Sequence, residues 1–431
     1  MVVYISSISV KNYRCFEDIK IEFNPKMNVI VGNNGVGKTT ILDALSIGIG
    51  SIFLGIESNA ASGIKKDDIR IVSNWIGSTL DRQPQLPVEI LCTGTIDGQE
   101  LEWSRSLNTE FGSTTHGGAA NIKKMTSEWQ KRIRNGDADI ILPLVSYYGT
   151  GRLWAQKRES STKKVSNRLG GYIDSLSAES NERLMLKWFE KMTFVQLQDG
   201  NKIPELEAVK KAVVESYIES GADVKNVRLF FNVKSHQLEV SYNNTNGDFF
   251  NHPFHELSDG YRNTLSLIAD IAYRMAVLNP QLLEEVTKKT PGIVLIDEID
   301  LHLHPIWQKR ILSTLKKVFP LVQFIVTTHS PSIISSANKE ELLIFDGKSA
   351  GQFAFEVYGK DVNSVLSEIM GTSERPDEIA EMFKKLDEFM NNEEYDKAEE
   401  KLDELRRILG NNDSGVVSAS VALDFQKDWE E

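Results

Sequence analysis

Cysteine is almost missing from this chain: Cys15 and Cys92 are the two thiols among 431 residues. Two cysteines cannot form a disulfide framework, and Cys15 reads as a core residue with no metal-ligating neighbour, so a reducing cytoplasm fits. Basic excess is missing too. With 49 Lys plus Arg against 61 Asp plus Glu, the formal charge is -12, which excludes a protein that grips nucleic acid over its whole surface and leaves only a local basic groove. Long apolar runs are lacking. The most apolar stretch, 41–56, contains Asp43 and is too short to span a bilayer, and Met1-Val-Val-Tyr-Ile has no signal-peptide charge pattern, so no membrane segment is expected. No repeat of fixed period and no heptad run is visible. What remains, 41% hydrophobic with 12 Pro and 29 Gly, is ordinary globular composition at a length that predicts two or three lobes.

The apolar run Met27–Val31 is followed by Gly32-Asn33-Asn34-Gly35-Val36-Gly37-Lys38-Thr39 and then Thr40 and the helical spacing Ile41, Leu42, Ala44, Leu45. This fits GxxxxGK[ST] without mismatch, in the strand-then-helix setting the motif requires. Glycines let backbone N–H groups turn inward around phosphates, the helix N-terminus adds positive potential, Lys38 reaches the β- and γ-phosphates, and Thr39 offers its hydroxyl to Mg²⁺. A second apolar strand, 291–296, ends in Asp297-Glu298. Asp297 is placed on the Mg²⁺ shell and Glu298 as the base that activates water. Strands often end in solvated acids, so this pair gains its meaning from the glycine loop.

Leu257-Ser258-Asp259-Gly260-Tyr261-Arg262 opens a helical run through Leu265, Ile268 and Ala272. Ser258 alone would read as an N-cap. Downstream come Ile299–Pro305 and the strand 324–328 ending at His329-Ser330-Pro331, which resemble the D-loop and switch-histidine strand of ABC-type ATPases, and the resemblance implies that His329 faces the nucleotide. The pairs His252/His255 and His302/His304 lack further ligands and read as structural.

Around these motifs, alternation predicts strands at 3–10 and 18–23, a hairpin at 88–107 about Gly98, and strands at 227–233 and 237–242. Helical spacing covers 179–219. A Gly/Ser/Thr-rich stretch leads to a basic helix with Lys123, Lys124, Lys131, Arg132 and Arg134, and a mobile basic loop runs on through Lys163 and Lys164 to Arg168. After Asn363, apolar faces at Ile379, Phe383, Leu386, Met390 and at Tyr395, Ala398, Leu402, Leu405, Leu409 predict an αα-hairpin. It is acidic, with 12 acids and 6 bases from Asp377 to Leu409, a net of -6. The expected division is 1–110, 111–225, 226–360 and 361–431: N-terminal ATPase half with β-lobe, basic and helical insertion, C-terminal ATPase half, and helical region.

Motif order and spacing resemble the ABC-type ATPases of the RecF/SMC class, whose signature is Leu-Ser-x-Gly before a helix upstream of the Walker B strand. Asp259 stands where transporters carry glycine, and no glutamine follows a strand at the Q-loop position. Within the class, Asp67-Asp68-Ile69-Arg70, Tyr147-Tyr-Gly-Thr-Gly-Arg152, the signature, and Tyr358-Gly-Lys-Asp-Val-Asn363 resemble the PtuA-type ATPases of the Septu anti-phage defence system. The resemblance implies an α/β ABC-type P-loop core with an antiparallel β-lobe, helical insertion and C-terminal helical hairpin. It implies ATP and Mg²⁺ as cofactors, and a homodimer, or a higher oligomer, with ATP sandwiched between Lys38 of one chain and Ser258 and Gly260 of the other. It also implies control of a separate HNH nuclease subunit, since no HNH cluster occurs in this sequence. Asn12-Tyr13-Arg14-Cys15-Phe16 resembles a RecF-like stretch that places Arg14 near the nucleotide. The competing expectations are a RecF-like repair ATPase that binds DNA and a nucleotide-binding scaffold that does not hydrolyse. The 225 positions between Gly32 and Leu257, which carry no heptads, argue against an SMC-like organiser.

Overall fold

A computed structural model describes residues 2–57, 61–153, 167–177, 182–221, 223–353, 355–373 and 375–428. The chain forms two compact units, Met1–Gly359 and Lys360–Glu431.

The first unit is built on a six-stranded sheet. Its strands are β3 (Met27–Val31), β8 (Leu144–Tyr148), β12 (Gly292–Ile296), β13 (Val322–Thr328), β14 (Leu342–Phe345) and β15 (Ala350–Gln352), ordered β15-β14-β3-β13-β12-β8. All pairings are parallel except β14 with β15. Strands β3, β8, β12 and β13 are buried at every residue, which is why they read as unbroken apolar runs rather than alternating ones.

The antiparallel lobe has the order β2-β1-β6-β7, from β1 (Val3–Tyr13), β2 (Phe16–Glu22), β6 (Val88–Ile96) and β7 (Gln99–Leu107). One face of β1 is buried and the other partly open, giving the alternation seen in the sequence. Buried Gln323 of β13 fastens this lobe to the core sheet. Its Oε1 accepts the Ile5 N–H at 2.8 Å and its Nε2 donates to the Ile5 carbonyl at 2.8 Å, replacing a ladder pair with a side-chain amide. A hairpin of β4 (Ile71–Ile76) and β5 (Thr79–Pro84) was not evident from the sequence and exposes Trp75 and Ile76. A three-stranded sheet of β9 (Val224–Asn232), β10 (Gln237–Asn244) and β11 (Phe249–Pro253) completes the strands.

Helix α1 (Lys38–Ile49) follows the glycine loop. Trp103 of β7 donates its indole N–H to the Gly48 carbonyl at 2.8 Å, closing the far end of that helix. The stretch Lys38–Gly55 is long and apolar enough to cross a membrane, yet 72% of it is buried within the fold, as befits a core helix. The region expected as an insertion contributes α2 (Ala120–Arg134), α3 (Glu182–Asp199) and α4 (Pro204–Glu219) to this same unit, with α4 packed on α5 (Asp259–Leu278). Short helices α6 (Val286–Lys289), α7 (Pro305–Gln308), α8 (Ile311–Val318) and α9 (Pro331–Ile334) fill the turns between the later strands.

The basic stretch is less available than its sequence suggests. Arg132 pairs with Asp137, Arg134 with Glu57, and Lys131 with Glu128, while Lys123 and Lys124 are exposed. Arg168, expected on a mobile loop, is instead an anchor: it donates to the carbonyls of Leu278 at 2.8 Å and Ile140 at 2.5 Å. Five donors in a fixed fork suit it to tying carbonyls left over at element ends. Lys163 and Lys164 lie outside the described residues.

The second unit contains α10 (Val362–Glu368), α11 (Asp377–Asn391), α12 (Tyr395–Leu409) and α13 (Ser414–Asp428). The hairpin of α11 and α12 therefore has a third partner. Val416 and Leu423 of α13 join Leu386, Met390, Ala398, Leu402 and Leu405 in one core, because two amphipathic helices leave a groove that a third apolar stripe closes.

Candidate nucleotide site

Three parallel strands end side by side and deliver the chemistry: β3 runs into the glycine loop, β12 into Asp297-Glu298, and β13 into His329. In an open α/β sheet this carboxyl edge is where ligands sit. The loop can turn here because Gly35 and Gly37 take φ of 79° and 108°, a region open to glycine. Gly37 also has no space for a side chain, since a Cβ there would lie 2.7 Å from the Phe16 ring and 2.9 Å from Cys15 Sγ. Cys15 is thus exposed at the tight β1–β2 turn beside the glycine loop, not in the core as the sequence implied.

Lys38 is buried and donates to the carbonyls of Gly32 at 2.8 Å and Asn33 at 2.9 Å, so the loop holds its own cation. Burial pushes its pKa down, opposed by Asp297, Glu298 and Asp300. Asn34, Gly35, Val36 and Thr40 stand at the loop and first helical turn around it. Thr39 donates its hydroxyl to Asp297 at 2.9 Å. The other oxygen of Asp297 accepts from Thr327 at 2.6 Å, and Thr327 Oγ1 in turn accepts the Glu298 N–H at 2.8 Å. Glu298 adopts φ 45°, uncommon for a side chain larger than glycine, and such strain persists where surrounding bonds enforce it. Thr328 donates to Asp300 at 2.6 Å. His329 follows directly. Burial lowers its pKa and Lys38 lowers it further, against the pull of Asp300 and Asp297, so the imidazole is neutral near pH 7.

Thr327, Thr328 and Asp300 were not singled out in the sequence. Their signal was there: two hydroxyls at the end of a buried strand must find acceptors, and the acids after β12 are the acceptors at hand.

Arg14 sits in the β1–β2 turn at φ 48°. Its Nε donates to Asp68 at 2.8 Å and Nη1 to Asp43 of α1 at 2.5 Å, so its charge is shared by two carboxylates beside the P-loop helix. Tyr147 of β8 donates to the second oxygen of Asp43 at 3.0 Å.

The signature begins α5. Ser258 is its N-cap and makes no side-chain capping bond. Gly260 lies against the loop after β12: a Cβ there would stand 2.6 Å from the His302 carbonyl oxygen, and Asn263 donates to the Leu301 carbonyl at 3.1 Å. His304 caps α7, accepting from the Ile306 N–H at 3.4 Å, and His252 stacks on Phe250 with ring centroids 6.0 Å apart. Among the described residues, no group of three or more His, Cys, Asp or Glu could hold a metal. The oxygen pair of Thr39 and Asp297, with two carboxylates nearby, does suit a hard divalent cation such as Mg²⁺.

A family described as AAA domain matches residues 7–220, and a second AAA domain family, whose description also carries AbiEii toxin and Type IV TA system, matches 136–335. "Retron Ec83 probable ATPase" of Escherichia coli is 25% identical over 500 aligned residues, covering 98% of this chain and 88% of that protein. "Septu protein PtuA" of Bacillus thuringiensis is 25% identical, covering 93% of this chain and 94% of that one. Among solved structures, the SmcHead bound to the C-winged helix domain of ScpA superposes with a TM-score of 0.50 at 19% identity, covering 81% of this chain and 98% of that one. That likeness bears on fold alone. By motif order, sheet topology and similarity along nearly its whole length, the chain has an ABC-type P-loop ATPase fold and is similar to the retron ATPases and to the PtuA proteins of Septu.

Proposed function

We propose that this protein is the ATP-binding and ATP-hydrolysing subunit of an anti-phage defence complex, and that it governs a separate HNH nuclease chain through nucleotide-dependent dimerisation. The observation that carries the ATPase reading is the convergence of Lys38, Thr39, Asp297, Glu298 and His329 on one sheet edge. The triphosphate lies along the glycine loop, its charge met by Lys38 and the first N–H groups of α1. Thr39 and Asp297 would hold Mg²⁺, which would supply positive charge against the negative charge that builds up in phosphoryl transfer. Glu298 orients the attacking water and accepts its proton, and neutral His329 donates to a γ-phosphate oxygen. Arg14, bound to Asp43, braces α1 close to the nucleotide.

A helix start whose N-cap hydroxyl makes no capping bond is suited to an anion, and Ser258 and Gly260 are proposed to meet the partner's ATP. The nuclease assignment draws on the relatives named PtuA and on the acidic C-terminal helices, whose field would attract a basic, DNA-handling chain. Two experiments test this. Light scattering of the Glu298→Gln protein should show dimers with Mg²⁺ATP and monomers without; a mass unchanged by ATP would sink the sandwich. Co-expression with the HNH chain should yield a complex that a chain cut at Pro376 no longer forms while still turning over ATP; retained capture would rule out that docking role.

A further inference from the structure

We propose that Tyr147 and Tyr148 form a strut that transmits occupancy of the chain's own P-loop to its signature helix. The proposal rests on the nucleotide-binding reading above. Consecutive residues of a strand point to opposite faces of a sheet. At the end of β8 these are two tyrosines, and each phenol reaches a different nucleotide-contacting helix.

Tyr147 reaches α1. Its hydroxyl donates to Asp43, which lies four residues after Thr39 and so shares that residue's helical face. Arg14 holds the other Asp43 oxygen, so the aspartate is gripped from two sides. Tyr148 reaches α5. Its hydroxyl donates to Asp270 at 2.8 Å, and Asp270 also accepts from Arg274 Nε at 2.7 Å. Arg274 is buried and goes on to donate to the carbonyls of Gly171 at 3.0 Å and Ile173 at 2.9 Å, which fixes the aspartate in place. The main chain of Tyr148 closes the connection: its carbonyl accepts the Asp297 N–H at 2.8 Å. One dipeptide therefore touches the P-loop helix, the metal-binding aspartate and the signature helix.

Burial, reinforced by Asp43 for one and Asp270 for the other, raises both phenol pKa values, so both remain neutral donors at working pH. Hydrogen bonds in such a low-dielectric setting are stiff, and a change at one end is costly to absorb locally. Asp270 is twelve residues beyond Ser258, about 18 Å along the helix axis at 1.5 Å per residue. A helix that long moves as a rod, so a shift at Asp270 displaces the signature turn. The same link works in reverse, because coupling between two binding events is reciprocal. In a sandwich dimer it would make each ATP sense the other.

Two buried phenols could instead just satisfy the nearest carboxylates, so the test must read transmission rather than stability. Amide hydrogen exchange is measured on the full chain carrying Ser258→Arg, which blocks the sandwich and leaves ATP at the chain's own P-loop. Mg²⁺ATP should protect residues 32–43 and change exchange at 259–266 by about 5-fold or more, the lower range of allosteric couplings. Adding Tyr147→Phe or Tyr148→Phe should keep the first effect and abolish the second. Each variant leaves its carboxylate an arginine partner, so both should fold. If one does not, the other carries the test alone with the same two outcomes. An unchanged response at 259–266 in the variants, or none in the parent, overturns the strut. Absence of protection at 32–43 in the parent would overturn nucleotide binding itself, a separate failure.

Discussion

The Thr39 hydroxyl donates to the Asp297 carboxylate at 2.9 Å, joining residues 258 positions apart in sequence. It links the end of β3, through the glycine loop, to the end of β12, and brings together the two oxygens proposed to hold Mg²⁺. Thr39→Ala should therefore raise the Mg²⁺ concentration for half-maximal ATP turnover by about 10-fold or more, the loss typical when a metal site is disturbed. A magnesium titration of phosphate release checks this, and an unchanged midpoint would remove Thr39 from the site. Chelation should stop turnover in the wild-type protein.

Glu298 and Lys38 should separate chemistry from binding. Glu298→Gln should bind ATP normally and turn over about 10² to 10⁴ times more slowly, the usual worth of a general base. Lys38→Ala should lose binding as well. Fluorescent-nucleotide titration beside steady-state turnover distinguishes the two, and wild-type turnover by Glu298→Gln would refute its role.

Gly260 offers a steric test of the signature turn. An alanine there would set its Cβ 2.6 Å from the His302 carbonyl, so backbone on one side must move. Gly260→Ala should slow turnover strongly while leaving ATP binding at the P-loop close to wild type. Equal loss of both would mean that the substitution disrupts the unit as a whole.

His329 predicts the acid limb of activity. Burial and Lys38 depress its pKa in the folded chain, so the unfolded chain takes up this proton first as pH falls. Neutral His329 therefore contributes stability above the unfolded value of about 6.5, and that contribution is lost as pH drops towards the folded value. Turnover that needs the neutral ring should hold through pH 6.5 and fall below it. A pH profile of kcat/KM for wild type and His329→Gln reads this directly; a limb that persists in the variant belongs to another group.

The nucleotide motifs were legible because each depends on local chain chemistry. Glycines at 35 and 37 are needed for positive φ, and Lys38-Thr39 must follow them at the helix start whatever the rest of the chain does. The buried strands and the β1–β2 alternation were legible for a similar reason, since burial on two faces or one imposes its own pattern on side chains. The αα-hairpin of α11 and α12 was visible in its apolar faces, whereas α13 was missed: its short apolar stripe acquires meaning only when packed into the groove between the other two. Arg168 misled, because a basic residue in a basic stretch looks solvated until the carbonyls of Ile140 and Leu278 are brought beside it. Tyr147 and Tyr148 stood in a stretch that carried a family resemblance, but nothing in it named their partners. Their partners Asp43 and Asp270 lie 104 and 122 residues away, in opposite directions along the chain. Local sequence determines which groups can donate and which backbone can turn; only the folded sheet decides which distant carboxylate each donor meets, because that depends on strand order and on which face of the sheet each helix covers.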